Sequence, residues 1–240
     1  MTPLLFVLLL TGQTFTAGET LDFDLTWIAI SGGSLRMTIA PQPGDATHYR
    51  ITSVAQSNKS FARIYSVRDE IASYVNRADF STVRYEKHLV EGGKHKDDST
   101  TIDEASKLAT RRRPGKDTEQ VAVPRPVFDP LSLVYHLRDL DLTPGKVYHF
   151  NIFADGKLYV LEATVGNRET LDTPAGKFNT VSVEPKMTAG GLFRDDNSRL
   201  TIWYTDDARH IPVRIRSEVK VGTITATLRG VHAGVASVEP

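Results

Sequence analysis

Cysteine is absent from all 240 residues. Its absence excludes disulfides, thiolate metal sites, a cysteine nucleophile and a lipidated N-terminal cysteine. Net charge is absent too, since 29 basic residues balance 29 acidic ones. Nucleic-acid binders concentrate positive charge, so no nucleic-acid partner is expected. The triplet Arg111-Arg112-Arg113 is local and reads as a solvated strand end. Long apolar runs are missing as well. The longest, Leu4 to Leu10, falls far short of the ~20 residues that a membrane-spanning helix needs. No His-Glu-x-x-His, no Gly-x-Ser-x-Gly elbow and no glycine-rich phosphate loop occurs. Gly190-Gly191 reads as a turn or bulge pair. The seven histidines are scattered, and His95, close to Asp97 and Asp98, reads as solvated rather than metal-binding. No metal and no cofactor is expected.

What is present begins with an address. Leu4 to Leu10 is followed by small and polar residues, Thr11, Gly12, Thr14, Thr16, Ala17 and Gly18. This is the pattern of a secretory signal over residues 1–17, leaving 18–240 as one domain. No Lys or Arg precedes the run. Cleavage after Ala17 puts Phe15 where a small residue is preferred, whereas cleavage after Gly18 puts Thr16 there. A buried N-terminal strand is the alternative. An exported chain without cysteine fits a bacterial periplasm.

The rest alternates. Leu21, Phe23, Leu25 and Trp27 oppose Asp22, Asp24 and Thr26, the period of a half-buried strand. Ser31-Gly32-Gly33 is expected to turn it, and Leu35, Met37 and Ile39 return. Phe61, Ile64 and Tyr65 fall at helical spacing, enough for a single turn. Lys94 to Asp103 and Lys107 to Arg113 are polar on both faces and read as wet strands near an edge. Asp155-Gly156 is the strongest short hairpin signal. Phe178 to Val183 carries apolar residues on both faces, which predicts a bulge or full burial. The one helix starts at Asp129, an N-cap followed by Pro130, with Leu133, Val134 and Leu137 as its apolar stripe.

Leu200 to Ser217 reads as a hairpin around Asp206 to Arg209. A four-residue loop there pairs Tyr204 with Ile211, Ile202 with Val213 and Leu200 with Ile215. One face is then apolar and the other carries Trp203 and Arg214. About thirteen or fourteen strands with one helix predict an all-β fold. The expected form is a single antiparallel, strongly curved sheet, a closed or nearly closed barrel with one short helix.

Two groups are candidates for facing a ligand. Arg84, Glu86 and His88 share one face of a strand opposite Val83, Tyr85 and Leu89, and Arg68, Glu70 and Tyr74 do likewise on the neighbouring strand. Such polar rows are either a solvated outer face or the lining of a ligand-holding barrel. Trp203 with Arg214 is the other group, a platform for a sugar or an anion, unless another element covers the indole. No catalytic residue is identifiable.

Several motifs recur in a familiar order. They are Gly18-Glu19-Thr20-Leu21, Tyr65-x-Val67-Arg68-Asp69, Arg84-Tyr85-Glu86-Lys87, and Asp129-Pro130-Leu131-Ser132 with Tyr135 and Leu137-Arg138. Thr173-Pro174-Ala175-Gly176-Lys177-Phe178, Glu184-Pro185-Lys186 and Leu200-Thr201-Ile202-Trp203 with Thr205-Asp206-Asp207 follow. As a set they resemble the bacterial domain-of-unknown-function family 3108, over essentially the whole chain after the signal. The resemblance implies an exported all-β protein of Gram-negative bacteria and brings no activity and no catalytic residues. The expected role is a non-enzymatic binding or scaffold protein for a lipid-like, glycan or protein component of the envelope. A hydrolase acting on envelope carbohydrate or peptide is the alternative.

Overall fold

The computed structural model describes residues 14–187, 199–219 and 222–234. The run at residues 4–10 and the pair Gly190-Gly191 lie outside the described residues. One antiparallel sheet of 14 strands makes up the fold. Its first half is a meander of β1 (Thr20–Trp27), β2 (Ile30–Gln42), β3 (Asp45–Ser57), β4 (Val67–Asn76), β5 (Thr82–Glu91), β6 (Lys94–Asp103), β7 (Leu108–Arg112) and β8 (Glu119–Ala122). Helix α1 (Pro130–His136) follows. A second meander comprises β9 (Val147–Ala154), β10 (Lys157–Thr173), β11 (Gly176–Met187), β12 (Arg199–Thr205), β13 (Pro212–Val219) and β14 (Gly222–His232). The last strand, β14, pairs with β1, so the sheet runs from β8 to β1 and from β14 back to β9.

Among the described residues the sheet does not close into a hydrogen-bonded barrel, which rules out the closed form of the expectation and leaves the nearly closed one. Its end strands are β8 and β9, and no ladder joins them among the described residues. They meet through side chains instead. Near the tip of the β9–β10 hairpin both faces are buried. Ile152 and Tyr159 join the main core, while Phe153 and Leu158 pack on Ile102, Ala109, Val121, Val123 and Val127. The two ends of the sheet therefore overlap face to face. One residue supplies a backbone link: Phe128 donates to the carbonyl of Asn151 at 2.9 Å and accepts from the amide of Phe153 at 2.8 Å. Pro124 and Pro126 lie between β8 and Phe128 and have no N–H to donate, so β8 cannot be extended into a regular ladder there.

The polar strand β6 is wet on both faces only over Lys94 to Asp97; beyond that, β6 and β7 bury one face. Asp98, Thr100, Ala109 and Arg111 are buried. The Arg111 guanidinium grips Asp98 from Nε at 3.0 and 2.9 Å and donates to the Asp155 carbonyl at 2.7 Å. Lys87 donates to the Asp155 carboxylate. Partial burial pulls Asp155 up, but the Lys87 hydrogen bond and the charges of Lys87, Lys96 and Arg111 outweigh it and hold the carboxyl below its usual range. Asp98 and Arg111 thus belong to an ion cluster that clasps the hairpin tip.

Two turns differ from expectation. The β1–β2 turn is Ile28-Ala29, both at positive φ (44° and 66°). Ser31-Gly32-Gly33 lies inside β2, at a register shift opposite Leu25 and Thr26. A Cβ on Gly33 would sit 2.0 Å from the Gln56 carbonyl oxygen, so these glycines serve close strand approach rather than reversal. In the β12–β13 hairpin the body is shifted by two residues, pairing Leu200 with Ser217, Ile202 with Ile215 and Trp203 with Arg214. Tyr204 then lies opposite Pro212, across a bulge. Pro212 cannot donate to a ladder. Thr205 closes the loop instead, its amide donating to the Ile211 carbonyl and its hydroxyl accepting from the Ile211 amide, each at 2.9 Å. Because two is the strand period, Ile202 and Tyr204 still point inward. The predicted irregularity near Phe178 to Val183 is present: the β10–β11 register shifts, and Thr180 through Val183 are all buried.

Helix α1 forms as its sequence dictates. Asp129 accepts from the amides of Leu131 (2.8 Å) and Ser132 (2.9 Å), Ser132 completes a capping box, and Pro130 occupies the first position. Leu131, Leu133, Tyr135 and Leu137 face the core, with a 3-10 turn at Leu137–Asp139. Inward side chains from β1–β5, β9–β14 and the helix form one continuous cluster. The space enclosed by the sheet is thus occupied by side chains.

Candidate functional site

On β5 the inward positions are Tyr85 and Lys87, while Arg84, Glu86 and His88 lie on the outer face. Cross-strand partners organise that face. Arg84 pairs with Glu86, and Tyr74 of β4 donates to Glu86 at 3.3 Å while the Arg84 guanidinium lies 5.3 Å from its ring. His88 lies directly opposite Asp97 of β6, with Nδ1 2.7 Å from the carboxylate. Next to them is a groove of about 440 Å³ over β5–β7, lined by Glu86, His88, Asp97, Ser99, Arg112 and Arg113. Arg113 is held by Glu119. Arg112 is exposed and has no carboxylate within ion-pair distance among the described residues. Glu86 and His88 therefore edge an external groove, and Arg84 lies on the same outer face. Asp97 is exposed and Asp98 is buried under the sheet, so the pair next to His95 diverges and does not converge on a common ion.

Trp203 and Arg214 are direct cross-strand neighbours on the other half of the sheet. Six strands separate β12 from β5 in the sheet order, so the five candidates form two separate groups. The indole is half-buried and touches the core, and its Nε1 donates to Glu169 at 2.6 Å. Arg214 donates to the Asp172 carbonyl at 3.2 Å. Both polar groups are already used within the protein.

Sequence reasoning missed the most buried charge. Arg138 is fully enclosed and pairs with Glu19, while donating to the carbonyls of Thr14 at 2.8 Å and Arg209 at 3.2 Å. A signal existed: Arg138 stands three residues after Tyr135 and four after Val134, on the helix's own packed face. Phe15 completes this region. It is 6% exposed, with its ring edge-on to Tyr49, Phe80 and Tyr135 at 5.4, 5.6 and 6.4 Å. No sequence signal marked the clasp of Lys87, Asp98, Arg111 and Asp155, because the β9–β10 turn that brings in Asp155 is far along the chain from β5–β7.

Comparison with known proteins bears on fold and family. No curated protein matches the chain. A solved β-barrel-like protein of the DUF1849 domain of unknown function, from Brucella abortus, is similar over 92% of this chain and 99% of its own. Its TM-score is 0.66 at 10% identity, which shows a shared fold. A Bacteroides fragilis protein described as exported with a YmcC-like fold covers 91% and 97% of the two chains, with 11% identity and a TM-score of 0.33. A Parabacteroides distasonis protein described as a lipoprotein covers 91% and 98%, with 9% identity and a TM-score of 0.33. The family model for the protein of unknown function DUF3108 matches residues 22–229, from within β1 to within β14. The motifs from Arg68 to Asp207 fall inside that match, and the chain belongs to the DUF3108 family.

Proposed function

We propose that this is an exported, non-enzymatic binding protein of the cell envelope that holds a charged polypeptide segment in the groove over β5–β7. The carrying observation is Arg112, an exposed guanidinium beside Ser99, His88 and Glu86 with no carboxylate partner of its own among the described residues. A groove that alternates acidic and basic groups suits an extended chain bearing both charges. No Phe, Tyr or Trp ring lines it, which counts against a sugar that would need a stacking platform. The filled core counts against a lipid chain held inside. The hydrolase reading has less support, since Glu86, Asp97 and Asp98 each have a basic partner, in Arg84, His88 and Arg111. Among the described residues the groove keeps no isolated carboxyl pair to divide acid and base roles.

Periplasmic export follows from Leu4 to Leu10 and the small residues behind it. The burial of Phe15 favours removal of the signal upstream of Thr14 over cleavage after Ala17 or Gly18. The test is a photo-crosslinking amino acid in place of Ser99, used in intact cells. A discrete crosslinked polypeptide that disappears with Arg112→Glu is expected. Crosslinking to glycan alone, or a polypeptide adduct indifferent to Arg112→Glu, contradicts the proposal.

A further inference from the structure

In this meander alternate turns fall at opposite ends of the sheet. One end carries α1, Arg138 and Phe15. The other carries the β1–β2 turn, the β3–β4 connection and the β13–β14 turn, and it is unusually apolar. Ile28 and Ile30 are each 55% exposed, Ile64 is 76% exposed, and Tyr65 and Ile224 are exposed as well. These side chains are neighbours. Trp27 lies opposite both Ile30 and Ile224 in the ladders. Its ring meets Phe61 edge-on at 5.8 Å, which brings in the 3-10 turn Phe61–Arg63 and, behind it, Ile64 and Tyr65. The Asn58 amide donates to the Gly32 carbonyl at 2.9 Å and its side chain to the Ser31 carbonyl at 2.9 Å, tying the connection to β2.

A second observation is conformational. Ile28 and Ala29 occupy the two central positions of a two-residue hairpin, both at positive φ. That turn geometry strongly favours Asn-Gly, and a β-branched residue there is an outlier. The Ile28 side chain lies against Gly222 on one side and is still 55% exposed, so this strained residue is poorly explained by internal packing alone. It is well explained if the side chain contacts something outside the protein. A third observation is charge. Residues 58–66 carry Lys59 and Arg63 and no carboxylate, residues 27–34 carry no charge, Lys94 follows the adjacent Gly92-Gly93 turn behind Glu91, and Glu218 near the end of β13 is paired with Arg216 at 3.1 Å. The Tyr65 ring lies over Gly92.

We infer that this rim is a membrane-contact tip that seats Ile28, Ile30, Ile64 and Tyr65 in the interface of an anionic phospholipid bilayer, with Lys59, Arg63 and Lys94 toward the headgroups. Branched aliphatic tips, amphipathic aromatics beside them and cations around them are the chemistry that interfacial binding uses. The groove over β5–β7 lies on the sheet face and is not part of this surface.

The test is co-sedimentation of the processed protein with vesicles of phosphatidylethanolamine and phosphatidylglycerol, against vesicles of phosphatidylcholine. The wild type is expected to bind the anionic vesicles, and less well as salt rises. Ile64→Asp is expected to weaken binding roughly tenfold or more. The decisive variant is Ile28→Asn with Ala29→Gly. It should raise the denaturation midpoint, because it installs the residues the turn prefers, and yet lose vesicle binding. Unchanged binding by that variant overturns the inference, since the strained Ile28 would then contribute nothing. Failure of the wild type to bind, with self-association that Ile64→Asp abolishes, overturns it in favour of a second copy of the chain.

Discussion

Arg138 shows most clearly how much one side chain can hold. Its guanidinium is wholly buried, paired with Glu19, and also bonded to the carbonyls of Thr14 and Arg209. It ties the chain ahead of β1 to the end of the helix and to the β12–β13 loop. Nδ1 of His210, in that same loop, lies 2.8 Å from the Arg138 carbonyl. Removing one member of a buried ion pair leaves the other charge uncompensated, which costs about 3–5 kcal/mol. Arg138→Ala should therefore lower stability by that order in urea denaturation, and Glu19→Gln in the same background should recover part of it. A loss below about 1 kcal/mol would mean that Glu19 finds water.

At the scale of elements, the helix and the turns show what local sequence can and cannot decide. Asp129-Pro130 announced the helix start, and the capping box is there. The cap carries more than a sequence pattern could say. The carboxylate also accepts from the hydroxyls of Ser73 and, at 2.8 Å, Thr82. Burial pushes its pKa up in spite of these four donors. Losing an N-cap costs about 0.5–2 kcal/mol, and stranding a buried hydroxyl about 1–3 kcal/mol. Asp129→Ala should thus exceed an ordinary cap loss, and Asp129→Asn, which keeps an acceptor, should cost clearly less. Equal losses for the two variants in urea titrations would show that the Ser73 and Thr82 bonds add nothing. The hairpin at Leu200–Ser217 was legible as a hairpin, and its inward face was right. Its register was not, because Pro212 and the Thr205 hydroxyl set the loop, and neither acts through alternation. The β1–β2 turn was hidden for a similar reason. Ile28-Ala29 carries no turn chemistry, while Ser31-Gly32-Gly33 carries plenty and uses it for strand packing.

For the molecule as a whole, fourteen strands and one helix were countable from alternation and punctuation, but closure was not. Whether two sheet ends pair or overlap depends on contacts between β6–β8 and the β9–β10 hairpin, which lie far apart in the chain. The charged residues of β6 and β7 looked like a wet edge, and Lys94 to Asp97 and Arg112 are exposed, but Asp98 and Arg111 are the inner half of the clasp on Asp155. The same distance explains the candidate site: the sequence named Glu86 and His88, but only the fold puts Arg112 beside them and Trp203 on the far half of the sheet. The clasp also carries a pH dependence. The folded pKa of Asp155 lies below its unfolded value, so its contribution is present above about pH 4 and is lost as pH falls through the folded pKa. Stability of the wild type should fall more steeply below about pH 4 than that of Asp155→Asn. Parallel curves would remove Asp155 from the clasp.

Overlap without pairing leaves a signature in the backbone that a closed barrel lacks. The Val123 amide donates to Lys107, so the amides of Gln120 and Ala122 point away from β7. The Phe153 amide donates to Phe128, so those of Val147 and His149 point away from β10. Residue-resolved amide hydrogen exchange by nuclear magnetic resonance measures this directly. The overlap predicts fast exchange at Gln120, Ala122, Val147 and His149, and slow exchange at Phe150 and Val121. Protection of the first four to the level of Phe150 would mean that β8 and β9 pair and that the sheet is a closed barrel.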